Sequence, residues 1–242
     1  MNLKKSIITI LMVLLLGGSM FGQWNGTSMR DVMEWKAGSR ISPEAVGYLG
    51  LERCFVIEKI SDRIFHRIEG KSYGKVCGIP REQLIYLKVL HYDFCGDVRM
   101  GELICNKAIA SDLLDIFKNL YEMEYPLESI RLVDDFGADD GQSMSADNTS
   151  CFNWRRASNG RLSKHAEGLA IDVNPLYNPF VYQRDGQTKV EPSCAKVYAD
   201  RSADNPYYIS KGDVLWSLFI SHGFQWGGSW RSSKDYQHFE KK

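Results

Sequence analysis

The chain has 242 residues, no formal net charge, 44% hydrophobic residues and 25% charged residues. This length suits one good-sized domain or two small ones, and the composition is that of an ordinary globular protein. The balanced charge, with no basic run beyond Lys4 and Lys5, argues against nucleic acid as a partner.

The N-terminus has the three-part layout of a secretory signal peptide. Two lysines precede an apolar run from Ile7 to Leu16, and small residues follow up to Gly22. The run is short for a membrane span, although an uncleaved anchor is the alternative. We predict a signal peptide over residues 1–22, a secreted or periplasmic protein, and no stable membrane insertion after cleavage.

Six cysteines in an exported chain predict disulfides. The alternatives are a thiolate zinc site and a cysteine nucleophile, but no C-x-x-C pair is present and no cysteine lies beside a histidine. The sequence leaves the connectivity open. The pairing that we expect is Cys54 with Cys77, Cys95 with Cys105 across a hairpin, and Cys151 with Cys194.

The first half of the chain predicts a short helix and a β-hairpin. Residues 61–70 have the spacing of a helix, and residues 84–92 are rich in strand-forming side chains, with a return strand beginning near Leu103. His66 falls on the polar face of the helix, and His91 lies in the strand without a motif around it. We therefore predict that neither histidine is a ligand.

The second half predicts two more helices and long connections. Ser111 is the predicted N-cap of a helix that runs to about Met123. A strand is predicted at residues 130–133, and a solvated loop at residues 134–148. Residues 176–209 form a long connection, which we expect to be a wall of a binding groove. Ser210 is the predicted N-cap of the last helix.

One stretch combines a histidine and an aspartate around a predicted strand. From Leu169 to Val173 the residues alternate, so that Asp172 stands on the exposed face of a half-buried strand. Gly168 sits where a turn could bring His165 back over Asp172. Such a pair is half of a metal site.

The other half of the site is near the end of the chain. His238 offers a second imidazole, and Asp235 lies three residues before it. Two histidines and one carboxylate are a common ligand set for catalytic zinc, although other first-row metals fit such a set as well. A serine nucleophile elbow, G-x-S-x-G, and the H-E-x-x-H zinc motif are both absent.

The chain resembles the D-alanyl-D-alanine carboxypeptidase / L-alanyl-D-glutamate peptidase family of zinc peptidases. Two motifs together carry this resemblance: S-x-H-x-x-G-x-A-x-D and, downstream, D-x-x-H-F. This family shares its fold with the Hedgehog signalling domain. The resemblance is strongest over residues 143–240 and more diffuse over residues 79–135. It does not extend before about residue 50.

The resemblance implies that His165, Asp172 and His238 bind Zn²⁺. It also implies that Asp235 is the general base, which takes a proton from water and passes it to the leaving amine. The alternative for Asp235 is an ordinary loop or capping aspartate.

Two further residues are candidates for contacts with a substrate. The family carries an arginine ahead of its S-x-H motif, and Arg155 is our candidate for stabilising negative charge, with the adjacent Arg156 as the alternative. Ser163 is expected to bind the substrate or to hold His165 in place. A surface arginine and a turn-capping serine are the structural alternatives.

The resemblance implies an α+β fold, with a small antiparallel sheet and helices packed on one face, as in Hedgehog and the DD-peptidases. Residues 23–50 would be an N-terminal arm and residues 51–242 the zinc peptidase domain, acting as a monomer. The implied activity is hydrolysis of a peptide bond next to a D-amino acid in peptidoglycan, as a carboxypeptidase or an endopeptidase. The alternatives are a non-catalytic zinc-containing binding or signalling module and a cysteine-bridged adhesion domain without metal.

Overall fold

A computed structural model of the chain describes residues 29–156 and 160–242, so the predicted signal peptide over residues 1–22 lies outside the described residues. In the described part, no helix is both long and apolar enough for a membrane span. The helices there are α1 (Met29–Glu34), α2 (Pro43–Leu49), α3 (Asp62–Ile68), α4 (Ala110–Glu122), α5 (Asp140–Ser145) and α6 (Val214–Ser221).

The strands are short apart from one hairpin, and most pair antiparallel. They form three three-stranded sheets with the orders β1-β2-β3, β6-β11-β9 and β10-β7-β8, together with a parallel pair, β4-β5. Their bounds are β1 (Val56–Lys59), β2 (Leu84–Tyr92), β3 (Val98–Asn106), β4 (Ser129–Ile130), β5 (Asn148–Thr149), β6 (Ala170–Asp172), β7 (Phe180–Arg184), β8 (Gln187–Glu191), β9 (Gln225–Trp226), β10 (Ser233–Asp235) and β11 (His238–Glu240).

The hairpin β2–β3 is the scaffold of the first sheet, and its return strand begins earlier than predicted. It starts at Val98 rather than near Leu103 and pairs with the whole of β2. Gly101 and Glu102 are poor strand formers, which hid this start in the sequence. The tertiary structure accommodates both, because Ile130 packs against the bare Gly101 and the buried Glu102 forms an ion pair with Arg67 at 2.6 Å.

Helix α4 covers this sheet with its apolar face. Leu113, Ile116, Phe117 and Leu120 are each at most 1% exposed and pack in the main core. The helix begins at Ala110 without a side-chain cap, so the prediction that Ser111 caps it is wrong.

Residues 29–50 pack on the same sheet. Trp35 and Ile41 are buried in the main core, and the indole of Trp35 donates to the Gly101 carbonyl at 2.9 Å. The backbone amide of Ile41 donates to the Val98 carbonyl at 2.9 Å, at the edge of β3. The segment therefore shares one core with the rest of the chain, and a domain boundary at residue 50 stays a prediction.

The second sheet, β6-β11-β9, joins the first through backbone contacts and a common core. Asn106, at the end of β3, donates its backbone amide to the Gly168 carbonyl at 2.9 Å. Ile171 and Phe239 are fully buried, and Phe239 stacks on Phe219 of α6 with ring centroids 4.3 Å apart. The mixture of small antiparallel sheets and helices agrees with the α+β prediction, whereas the Hedgehog-like arrangement stays a prediction.

Three predicted local features differ in the structure. The predicted loop at residues 134–148 contains α5, which Asp139 caps by accepting from the Gln142 amide. The long connection at residues 176–209 contains the hairpin β7–β8. The last helix is capped by Asp213 rather than Ser210, because the Asp213 carboxylate accepts from the Trp216 amide at 2.6 Å.

The disulfide prediction is wrong, since all six cysteines are free. Cys95 lies in the hairpin turn, whereas Cys105 pairs with Ile85 near the far end of β3, about 20 Å along the strand. The buried Cys151 has its thiol 3.6 Å from the Gly168 carbonyl, whereas the exposed Cys194 has its thiol 3.5 Å from Ser145.

The predicted Cys54–Cys77 disulfide is also absent, and the two residues contact different apolar clusters. Cys54 belongs to the main core, and Cys77 packs against a second, smaller cluster that includes Ile79 and Phe152. The even number of cysteines therefore does not correspond to a disulfide framework in this structure.

We expect Gly168→Ala to destabilise the protein strongly. Gly168 has φ +66°, and an added Cβ would lie 2.7 Å from the backbone nitrogen of Asn106. Left-handed backbone costs alanine about 1–2 kcal/mol, and the clash adds about 1–3 kcal/mol. The matched control is Gly186→Ala, which has φ +70° but nothing within 4 Å. Urea unfolding should show a clearly larger loss for position 168, and equal losses would contradict the clash.

Candidate metal centre

The register of β6 and β11 places two of the candidate ligands side by side. His238 pairs directly with Asp172, Phe239 with Ile171, and Glu240 with Ala170. Because paired residues project from the same face, Asp172 and His238 share the face opposite the core residues.

His165 reaches the same face through a tight turn. Residues Lys164–Glu167 form a 3₁₀ turn, with the Ser163 hydroxyl accepting from the His165 amide at 3.2 Å. Gly168 then adopts the left-handed conformation and directs the chain into β6. The predicted bend therefore exists, with the imidazole of His165 brought back over Asp172.

The three candidate ligands converge on one point. His165 Nε2 lies 3.2 Å from Asp172 Oδ2, and His238 Nδ1 lies 3.0 Å from Asp172 Oδ1. The two ring nitrogens are 3.3 Å apart. One ligand atom from each residue falls within 4.8 Å of the others, and the described residues contain no second group of this kind.

Each imidazole has an inner nitrogen that faces the other candidate ligands, His165 Nε2 or His238 Nδ1, and an outer nitrogen that faces away. Each outer nitrogen lies close to a hydrogen-bond acceptor of its own. His165 Nδ1 lies 2.6 Å from the Cys151 carbonyl, and His238 Nε2 lies 3.2 Å from Glu240 Oε2. An N–H on each outer nitrogen leaves a lone pair on each inner nitrogen, as metal-binding histidines require. The residues present therefore fit a divalent metal ion.

The electrostatics of the cluster also favour a cation. Asp172 is buried, which would raise its pKa, but the two imidazoles outweigh burial and hold the pKa well below its ordinary value. Burial would lower the pKa of His238, but hydrogen bonds to Asp172 and Glu240 raise it to about 10. The Asp172 carboxylate thus stays charged and attracts positive charge to the cluster.

Asp172 is buried rather than exposed, contrary to the prediction from strand alternation.

Asp235 lies beside this cluster, at the end of β10. It interacts electrostatically with His238, Asp172 and Arg155, and its Oδ1 is buried without a hydrogen-bond partner among the described residues. Burial raises the pKa of Asp235 to about 7. A carboxylate whose affinity for a proton is raised, and one of whose oxygens lacks a hydrogen-bond donor, suits proton transfer.

Gly227 packs closely against Asp235 and His238, and it was not among the residues predicted from the sequence. A Cβ at this position would lie 2.7 Å from the Asp235 carbonyl oxygen and 3.2 Å from His238 Cβ. The local signal was the Gly227–Gly228 pair, since paired glycines mark places where backbones approach closely.

The cluster opens into a cleft of about 1040 Å³. Its lining includes Arg155 and Ser163, and Arg155 forms an ion pair with Asp140 of α5. Arg156 is exposed and donates to the Gly160 carbonyl, so Arg155 is the arginine that faces the cleft. Part of the long connection at residues 176–209 lines the cleft, through residues of β7, β8 and the following turn: Phe180, Val190, Glu191, Pro192 and Ser193. That this connection forms a wall of a substrate groove stays a prediction.

The other three histidines, His66, His91 and His222, lie outside the cluster. His66 is exposed, and the buried His91 has its Nδ1 2.7 Å from the Leu127 carbonyl. His222 follows α6 and contacts Asp115 at 3.0 Å.

Comparison with known families agrees with the motif. Residues 156–241 match the family model described as D-alanyl-D-alanine carboxypeptidase, a span that includes Ser163, His165, Asp172, Asp235 and His238. The match confirms the resemblance drawn from these residues. No curated protein and no solved structure matches the chain.

We expect the purified protein to bind one equivalent of Zn²⁺. The variants His165→Ala and His238→Ala should weaken zinc binding by several orders of magnitude, because each variant removes one of three candidate ligands. Isothermal titration of metal-free protein measures this. His66→Ala is the control, since its side chain is 75% exposed. Unchanged affinity in either ligand variant would remove that residue from the site.

Gly227→Ala should weaken zinc binding by about tenfold or more, because the new methyl group must displace Asp235 and the neighbouring His238. The same titration measures it. Gly47→Ala is the control, since a Cβ there meets nothing within 4 Å. A zinc affinity equal to wild type in Gly227→Ala would show that the backbone can shift to admit the methyl group without moving the candidate ligands.

Proposed function

We propose that this chain, whose residues 156–241 match the family model described as D-alanyl-D-alanine carboxypeptidase, is a zinc-dependent peptidase that hydrolyses a peptide bond next to a D-amino acid in peptidoglycan. The family match supports a peptidase that acts on a peptide substrate. Zinc dependence, the D-amino acid and the cell wall are parts that this proposal adds.

One observation carries the proposal. The ligand atoms of His165, Asp172 and His238 converge, and the cleft that exposes them also contains Asp235. A purely structural metal site needs ligands only, whereas a peptidase also needs a group that moves protons. Asp235, with its unpartnered Oδ1, supplies such a group.

His165, Asp172 and His238 would hold the metal ion. When bound, such an ion polarises the peptide carbonyl and makes water more acidic. Three protein ligands leave room for water or substrate, as in catalytic zinc sites.

Asp235 acts as the general base. Its carboxylate accepts the proton of the attacking water and delivers it to the nitrogen of the leaving amine. Burial makes the carboxylate a stronger base than an exposed aspartate, while the nearby positive charges of His238 and Arg155 limit the rise of its pKa.

Arg155 stabilises the negative charge that develops on the carbonyl oxygen, or binds a substrate carboxylate. Asp140 holds the guanidinium by an ion pair, and Asn153 donates to the same carboxylate at 2.7 Å. Ser163 keeps its hydroxyl hydrogen available to a substrate, because its oxygen accepts from the His165 amide.

The predicted signal peptide places this activity outside the cytoplasm, where peptidoglycan lies. We expect a secreted or periplasmic monomer without a stable membrane insertion. Proline, phenylalanine and valine side chains on the wall formed by the hairpin β7–β8 give the peptide an apolar surface to lie against.

We expect Asp235→Asn to abolish most of the activity while zinc binding persists. Loss of a general base typically lowers turnover by about 10²–10⁴-fold. Mass spectrometry of muropeptides after incubation of peptidoglycan with the protein measures turnover. It also separates a carboxypeptidase, which removes terminal D-Ala, from an endopeptidase, which cuts within the stem.

The control is Asp185→Asn in the β7–β8 turn, where the side chain is 91% exposed. Full activity in Asp235→Asn would remove this residue from the mechanism. A wild-type protein that binds zinc but leaves all muropeptides intact would instead support the non-catalytic module. Chelation should abolish wild-type activity, and added Zn²⁺ should restore it.

A further inference from the structure

Glu240 is an acidic residue of the cleft for which the proposed mechanism has no role. It lies two residues after His238 on β11, so both side chains project from the same face. Its Oε2 is 3.2 Å from His238 Nε2, and its side chain is only 23% exposed. Directly opposite on β6 stands Ala170, whose small side chain leaves room for the carboxylate to reach His238.

A histidine ligand must be fixed in both orientation and tautomer. A neutral imidazole binds a metal only through the nitrogen that lacks a proton. Rotating the His238 ring by half a turn would place a carbon where Nδ1 now faces Asp172 and His165. An acceptor at the outer nitrogen therefore decides whether the inner nitrogen is available.

The two histidines solve this problem with different groups. His165 is held by a main-chain acceptor, the Cys151 carbonyl at 2.6 Å, which no side-chain substitution removes. His238 is held by the Glu240 carboxylate. Only the second contact depends on a side chain, so it can be tested by substitution.

We propose that Glu240 is a positioning residue that fixes the His238 ring with Nδ1 directed at Asp172 and His165, so that the affinity for a divalent cation depends on this carboxylate. The inference relies on the metal centre proposed above. It assigns a function to a residue outside the D-x-x-H pair, and no ligand role is required of Glu240.

Metal-free protein and a chromophoric chelator that competes for Zn²⁺ provide the test. Glu240→Ala removes the acceptor and should weaken zinc binding by about 10–100-fold, which is typical for the loss of a group that orients a metal ligand. Glu240→Gln keeps an oxygen acceptor but loses the charge, and we expect an intermediate loss of several-fold. The visible spectrum of bound Co²⁺ should also change in Glu240→Ala, because it reports the ligand geometry.

Glu167→Gln is the matched control. Glu167 is a nearby carboxylate paired with Lys164 at 2.6 Å, with 42% of its side chain exposed, and it does not line the cleft. The zinc affinity of the Glu167→Gln variant should stay within about twofold of wild type, since surface ion pairs contribute little to stability.

Zinc affinity and a Co²⁺ spectrum equal to wild type in both Glu240 variants would overturn the proposal. A change in thermal stability of the metal-free variant with unchanged zinc affinity would also overturn it, because that result describes a structural ion pair. If Glu240→Ala does not fold, Glu240→Gln decides by the same criterion. A wild-type protein that binds zinc but cleaves nothing refutes the proposed peptidase and leaves this inference standing, whereas a wild type without zinc affinity refutes both.

Discussion

The pairing of β6 with β11 is the constraint on which the site depends. Ile171 and Phe239 are paired and fully buried on one face, so the register between the strands is held by the core. Asp172 and His238 are paired on the other face as a direct consequence. A slip of one residue would turn every side chain of the moved strand to the opposite face, placing Asp172 or His238 in the core and an apolar residue in the cleft. The core therefore secures the geometry of the cluster as well as the stability of the sheet.

Burial of the cluster has a cost that its hydrogen bonds offset. An isolated buried carboxylate is penalised by several kcal/mol, so Asp172 requires partners on both oxygens. The two imidazoles supply them, and their outer nitrogens are satisfied in turn by Cys151 and Glu240. In the absence of metal, a proton on His238 provides the positive charge that the carboxylate attracts. A divalent ion held by His165, Asp172 and His238 would supply positive charge at the same place.

Several features were predictable because they depend on neighbours in the sequence. Alternation from Leu169 to Val173 located the strand and its buried Ile171, and the Gly168 turn followed from its place ahead of that strand. Local patterns failed where distant contacts decide the outcome. Alternation placed Asp172 on an exposed face, but the His165 turn and the rest of the cleft cover it. The even number of cysteines suggested disulfides, yet Cys95 and Cys105 are separated along the hairpin by most of a nine-residue strand.

The sequence by itself determined the chemical types of the site residues, their order, and the resemblance to one peptidase family, whose model matches residues 156–241. These are properties of short motifs, whose geometry is set by backbone sterics and strand periodicity. Only the tertiary structure decided that His165 and His238, 73 positions apart, face each other. It also decided that Gly227 supports Asp235, and that Glu240 meets the outer nitrogen of His238. The physical reason is that such contacts arise from strand register and core packing, which depend on the whole chain at once. A local signal such as the Gly227–Gly228 pair indicates a close approach of backbones, but it does not specify which residues meet there.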